Sequence, residues 1–229
     1  MLAAPKSSVG GYVLAGGRST RMGRDKALLE LAGRPLVQHA VLKLRRLTGE
    51  AYILGNRAEL STFAPLVPDL HENCGPLGGI EAALAHTQHE WIVVLPVDMP
   101  FVPTALLEDW MHSVVDQPQA RIAIFTVDGL PQPALSLLHR SLLSRVSEEL
   151  DEGRFKLYPA LEGAAAGLAT DGSARIDEVL LSNNWNSETI PAALALTEAQ
   201  LAARHLWFAN LNTPQEFLEA ERHVNALDT

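Results

Sequence analysis

The chain has 229 residues, 47% hydrophobic and 20% charged, with a formal net charge of −9. That length suits one domain, or at most two, with a sizeable core, and the acidic balance argues against a general nucleic-acid binder, whose affinity rests on a basic surface. No apolar run approaches the roughly 20 residues that span a bilayer, the first ten residues are too short in apolar character for a secretory signal, and the single cysteine, Cys74, forms no intrachain disulfide. The expectation is therefore a cytoplasmic protein in a reducing compartment, with no nucleic-acid or membrane partner.

In chain order, residues 10–14 (GGYVL) read as a short buried strand, stopped by Gly16-Gly17. The positions that follow interleave Gly23 with Arg18, Arg21, Arg24 and Lys26. Glycines open the backbone to close approach, and a local cluster of cations in an acidic chain predicts an anion site. Pro35 stands where a helix takes its first residue, and Val37, Ala40, Val41, Leu44 and Leu47 recur behind it at helical spacing. Residues 51–54 (AYIL) read as a strand, followed by a turn-like Gly55-Asn56. Residues 78–85 read as a helix started by the glycine-rich CGPLGG. Residues 91–95 (WIVVL) give the strongest strand signal, continuous and apolar as a central parallel strand should be, and end in Pro96-Val97-Asp98-Met99-Pro100.

Further on, residues 103–115 and 141–150 read as helices, 121–125 and 134–138 as strands, and 214–226 as a terminal helix. From 163 to 204 the pattern weakens: GAAAGLATDGS reads as a loop, and NNWNSETIPAALALTEAQL mixes turn residues with a helix. Strands alternating with helices predict an α/β domain with a mostly parallel sheet. Ligands of such sheets sit beyond the carboxyl ends of the strands. The loop after Leu14 and Asp98 after WIVVL both fall there.

Two common phosphate-binding patterns fail. A P-loop needs Gly-Lys-Ser/Thr, whereas Gly23 is followed by Arg24-Asp25-Lys26; the dinucleotide fingerprint needs G-x-G-x-x-G, whereas Gly16 and Gly17 are adjacent. A third arrangement remains, in which bare backbone approaches a triphosphate while Arg21 and Lys26 supply charge. Arg suits bidentate phosphate contact and Lys acts as a mobile point charge.

The stretch LAGG-x-S-x-RMG-x-DK at positions 14–26 resembles the nucleotide-binding motif of the molybdenum cofactor guanylyltransferases, a branch of the nucleotidyltransferase superfamily. Gly55-Asn56-Arg57, GPLGG at 75–79, DMPFVP at 98–103 and NLNTPQEF at 210–217 follow in that family's order. The resemblance implies a single-domain, Rossmann-like (GT-A-like) α/β fold over residues 1–229, with a mostly parallel central sheet flanked by helices. Residues 163–204 are longer than the family leads one to expect and read as an atypical, inserted segment. The implied reaction transfers GMP from GTP to molybdopterin or molybdenum-molybdopterin, releasing pyrophosphate, with Mg²⁺ as cofactor. The implied partners are those two substrates and, transiently, proteins that deliver the cofactor; the chain is expected to be a monomer.

The resemblance also assigns residues. Asp98 would ligate the magnesium, although its residue type alone more often marks an N-cap or Asx turn. Lys26 and Arg21 would neutralise the triphosphate, and Asp25 would cap the following turn or orient Lys26. Leu14, Ala15, Gly16 and Gly17 would line the nucleotide through backbone, joined by Asn56, Asp69, Gly75 and Gly79. By the same resemblance, LAGG and GPLGG imply guanine rather than cytosine as the base. On the acceptor side, Gly153-Arg154-Phe155-Lys156 is the nearest match to a family stretch with an acid and two adjacent cations. Arg154 and Lys156 would hold the pterin phosphate, or simply be surface charges. Asn210 and Asn212 match paired asparagines near the acceptor, and Thr213-Pro214 also suits a plain helix start. Cys74 reads as a packed thiol, and the eight histidines show no ligand spacing. Two other readings stay open: nucleotidyl transfer to another acceptor (including CTP-dependent cytidylyl transfer to molybdopterin, or transfer to a sugar or cofactor phosphate), and a non-catalytic nucleotide-binding regulatory domain. The presence of Asp98, Lys26 and Arg21 together disfavours the last.

Overall fold

The computed structural model describes residues 9–15, 25–186, 190 and 194–228. The expected sites Gly16, Gly17 and Arg21 lie outside the described residues. The first strand, β1 (Val9–Leu14), is buried along its whole length. A small antiparallel pair, β2 (Glu30–Leu31) and β3 (Arg34–Pro35), leads into α1 (Leu36–Thr48). Then come β4 (Tyr52–Leu54), β5 (Leu66–Val67), α2 (Gly75–His86), β6 (Trp91–Pro96) and α3 (Thr104–Val115). The second half holds β7 (Ile122–Val127), β8 (Leu130–His139), α4 (Leu143–Asp151), α5 (Leu157–Gly172), α6 (Ile176–Val179), β9 (Leu180–Trp185), α7 (Glu198–Ala202) and α8 (Pro214–Glu221).

Seven strands form one sheet in the order β5-β4-β1-β6-β8-β7-β9. Only β8 runs against the rest: β1 is parallel to β4 and β6, and β7 is parallel to β9. The β7–β8 hairpin turns on Asp128-Gly129, both at positive φ (50° and 75°), as a two-residue turn of matching twist requires. Alternate residues of each strand feed two cores. Val93 and Leu95 of β6 join α1, α3 and the 203–226 region on one face, while Ile92 and Val94 join α2, α4 and α5 on the other. Sheet and helices thus make three layers. Among the described residues no helix is long and apolar enough to cross a membrane.

The apolar stripe expected on α1 is buried at Val37, Ala40, Val41, Leu44 and Leu47. Several expectations need correction. The helix predicted from 78 begins at Gly75, so GPLGG is its first turn, with Pro76 at a position where the missing N–H costs nothing. WIVVL is central and parallel to β1, but its other neighbour, β8, is antiparallel. The terminal helix ends at Glu221, and Val224–Ala226 is a separate 3₁₀ turn.

The largest miss is 163–173, read as a loop, most of which is the second half of α5. Its small residues exist for close packing. A Cβ at Gly163 would fall 2.5 Å from Glu149 Oε1 of α4, and one at Gly167 3.1 Å from Arg145 Nε. Asn183 and Asn184, read as turn residues, belong to the edge strand β9, where the Trp110 indole donates to Asn183 Oδ1 at 2.9 Å. The 163–204 segment therefore supplies a strand to the main sheet.

Candidate active site

Parallel pairing puts the carboxyl ends of β1 and β6 side by side. Leu14 is opposite Pro96, and the Val97 N–H donates to the Leu14 carbonyl at 3.2 Å. The chain then turns and presents Asp98, half-buried, just beyond that edge. Asp25 stands as an N-cap: its Oδ1 accepts from the Ala27 N–H at 3.0 Å and its Oδ2 pairs with Arg57 at 2.5 Å. That cap fixes the short 3₁₀ turn Lys26–Leu28 and aims Lys26 at Asp98.

The Lys26 ammonium donates to Asp98 Oδ2 at 2.6 Å, 72 positions away in sequence, and to Asn212 Oδ1, 186 positions away. Asn212 arrives there because the Leu211 N–H donates to the Asp98 carbonyl at 3.0 Å. A capping box then fixes the start of α8: Glu216 Oε2 accepts from the Asn212 and Thr213 N–H groups at 2.6 and 2.7 Å. Burial opposes ionisation of Glu216, but these N–H donors, the Thr213 hydroxyl and the Lys26 charge hold its carboxyl below the usual range. The Asp98 carboxylate thus faces a cation.

The other expected nucleotide residues line the same edge. Leu14 pairs with Leu54 of β4, and Ala15 follows. Asn56 is exposed just past the carboxyl end of β4, beside Arg57. Asp69 follows β5, and its Oδ1 lies 3.7 Å from where a Cβ on Gly79 would stand. Burial pushes the Asp69 carboxyl above the ordinary range. Gly75, at φ +60°, opens α2. Cys74 is buried and donates its thiol to the Glu72 carbonyl at 3.6 Å.

The acceptor residues divide. Asn212 is exposed at the cluster, and its Nδ2 donates to the Asn210 carbonyl at 3.3 Å. Arg154 and Lys156 lie in the turn between α4 and α5, and no described contact joins them to Asp98. Arg154 is held by both oxygens of buried Glu149 and by Glu152, and the hydrogen bonds to Glu149 raise its pKa. Lys156 is exposed at the N-cap of α5. A cavity of about 730 Å³ opens elsewhere on this edge, at the carboxyl ends of β7 and β9. Asn184, Trp185, Arg204 and Phe208 are among its walls, which end at Ala209, directly before Asn210.

Sequence reasoning missed the support beneath Asp98. Lys43 of α1 is fully buried and donates to the carbonyls of Pro100, at 3.1 Å, and Val102. Its counterion is Asp228 Oδ1 at 2.7 Å, whose other oxygen accepts from the Thr104 N–H at 2.6 Å. Burial pushes the Lys43 ammonium below its ordinary value. Burial works against Asp228 too, but the Lys43 charge and the Thr104 donors hold its carboxyl below the ordinary range. One signal was readable: Lys43 sits four residues before Leu47, on the apolar stripe of its helix.

A cation, a carboxylate and an amide gather over the carboxyl ends of a mostly parallel sheet, where open α/β sheets bind their ligands, and the cation suits an anionic group such as a phosphate. The family model for the MobA-like NTP transferase domain matches residues 11–167. The chain is 38% identical over 162 residues to a molybdenum cofactor guanylyltransferase of Serratia proteamaculans, covering 68% of this chain and 80% of that one. It is 33% identical over 230 residues to one of Rhizobium johnstonii, covering 97% and 96%. A crystal structure of molybdopterin-guanine dinucleotide biosynthesis protein A from Archaeoglobus fulgidus shares the fold, at TM-score 0.67 and 22% identity, over 95% of this chain and all of that one. The chain belongs to the MobA-like NTP transferase family.

Proposed function

We propose that the chain acts as a single nucleotidyltransferase domain, monomeric and cytoplasmic, that transfers GMP from GTP to molybdopterin, with or without its metal. A terminal phosphate oxygen of the pterin attacks the α-phosphorus of GTP, the bond to the β-phosphate oxygen breaks, and pyrophosphate leaves with the electron pair. Two anions must meet while charge builds on the leaving group, so catalysis is largely positioning and charge neutralisation.

The observation that carries this reading is the convergence of Lys26, Asp98 and Asn212 on one point. The donor set fits a magnesium ion: a carboxylate and an amide oxygen are hard ligands, and both already turn toward a positive charge, the Lys26 ammonium. Asp98 and Asn212 would hold the ion, which would supply charge neutralisation at the phosphates. Lys26 then turns from Asp98 to the triphosphate, as a point charge on a flexible stem can. Asn210 and Asn212 orient the acceptor phosphate. Because Arg154 is committed to Glu149 and Glu152, a second placement of the pterin, in the cavity walled by Arg204, stands beside the one at Lys156.

Pyrophosphate release from GTP with Mg²⁺ and purified molybdopterin tests the proposal. Release that depends on molybdopterin, and is far slower with CTP, is expected. Release only with CTP, only with a sugar phosphate, or with no acceptor at all overturns it.

A further inference from the structure

The histidines show no ligand spacing in the sequence, yet the fold brings two of them to one carboxylate. His205 Nε2 lies 3.9 Å and His223 Nε2 3.2 Å from the same oxygen, Glu219 Oε1. The three ligand atoms all fall within 4.8 Å of one another, the only such grouping among the described residues. The two rings stand edge to face, centroids 5.2 Å apart and planes at 80°. Glu219 Oε2 is paired with Arg222 at 2.9 Å, which leaves Oε1 to the two imidazoles.

Glu219 and His223 stand four residues apart at the end of α8, and His205 comes in from a separate turn. His205 sits in the 3₁₀ turn Arg204–Leu206, beside buried Leu206 and Trp207; Glu219 precedes buried Ala220 on α8; His223 precedes the Val224–Ala226 turn, anchored by Ala226. The ligand spacing is therefore largely set before any ion arrives. Two imidazoles and one carboxylate, with solvent on the open side, form the ligand set of borderline divalent ions such as Zn²⁺, with room for water in the fourth position. Hard Mg²⁺ prefers oxygen and would not compete well.

We propose that His205, Glu219 and His223 form a binding site for one zinc-class divalent cation, separate from the Asp98 cluster. The segment between His205 and Glu219 contains Asn210 and Asn212, so the bound ion closes that segment into a loop and steadies the start of α8. This steadying matters for turnover only if the acceptor reading above holds; the binding site does not depend on it.

The test is calorimetric titration of chelator-treated full chain with Zn²⁺, in millimolar Mg²⁺, with Co²⁺ absorption as a second readout. One ion per chain is expected, with tetrahedral Co²⁺ bands and a rise in Tm. His205→Ala and His223→Ala should each weaken binding by about 100-fold or more, since even losing an outer partner of a metal ligand costs ~10–100-fold. Both histidines are at least partly exposed, and circular dichroism checks that the variants remain folded. No saturable Zn²⁺ binding, or binding that survives both substitutions unchanged, overturns the proposal. Loss of Zn²⁺ binding with unaltered GMP transfer would leave the site intact and remove only its link to the acceptor segment.

Discussion

Two lysine–aspartate pairs flank the turn that follows β6, and their lengths are nearly the same: 2.6 Å for Lys26–Asp98 and 2.7 Å for Lys43–Asp228. Distance does not separate their roles; surroundings do. The Lys43 side chain is 1% exposed and is satisfied by two carbonyls besides its carboxylate. Lys26 and Asp98 are 13% and 21% exposed and meet at the open carboxyl edge of the sheet. A pair that water and phosphate can reach is able to exchange partners. In the second pair Asp228 is still 17% exposed, but the Lys43 ammonium is sealed in the core, and opening that pair strands its charge. On the proposed function the first pair serves the chemistry, while the second holds residues 100–104 beneath it.

The sharpest way to break this contrast is Asp228→Ala. Removing one partner of a buried pair costs about 3–5 kcal/mol, and for a chain of this size the Tm should drop by roughly 10 °C. Adding Lys43→Met should recover most of that loss, because the stranded charge goes with it. An unchanged Tm in the single variant would show that the pair is not structural. Acid should act on the same pair. The Asp228 carboxyl is held below its ordinary value in the folded chain, so the unfolded chain binds the extra proton first. The stabilisation is present above about pH 4 and is lost as pH falls through the folded value. Urea midpoints measured from neutral to acid pH should show that slope reduced in Asp228→Asn; an identical slope contradicts it.

On the open pair, Lys26→Ala should raise the KM for GTP about 10–100-fold, the worth of a charge-assisted contact. Guanosine binding and Tm should barely change. Equal weakening of guanosine and GTP would remove Lys26 from the phosphate site. The smallest effect sharpens the acceptor side: Lys156→Ala and Arg204→Ala are compared for molybdopterin KM. The variant at the true pterin wall should raise it about 3–10-fold, as loss of one exposed phosphate contact does, and no change in either rules out both placements.

Much of the nucleotide half was legible because its signals are local. Continuous apolar runs gave β1 and β6, the stripe on α1 was regular, and strand ends pointed to Leu14 and Asp98 as neighbours. What failed lies mostly in the second half. Helix α5 is built from alanine and glycine so that Glu149 and Arg145 can pack against it, and small residues leave little periodicity to read. Strand β9 is an edge strand with exposed or half-exposed asparagines, so it reads as a turn. Arg154 has the right charge for an acceptor phosphate, but its partners are acids two and five residues away. Lys43–Asp228 and His205–His223 are joined only by the fold, which local patterns do not encode.

GMP transfer by Asp98→Asn, followed as molybdopterin guanine dinucleotide formed from GTP and Mg²⁺, tests the central claim most directly. The account predicts a loss of about 10²–10³-fold or more in kcat with Tm unchanged, because this carboxylate serves the reaction and not the core. Turnover at the normal rate in a folded variant would contradict it.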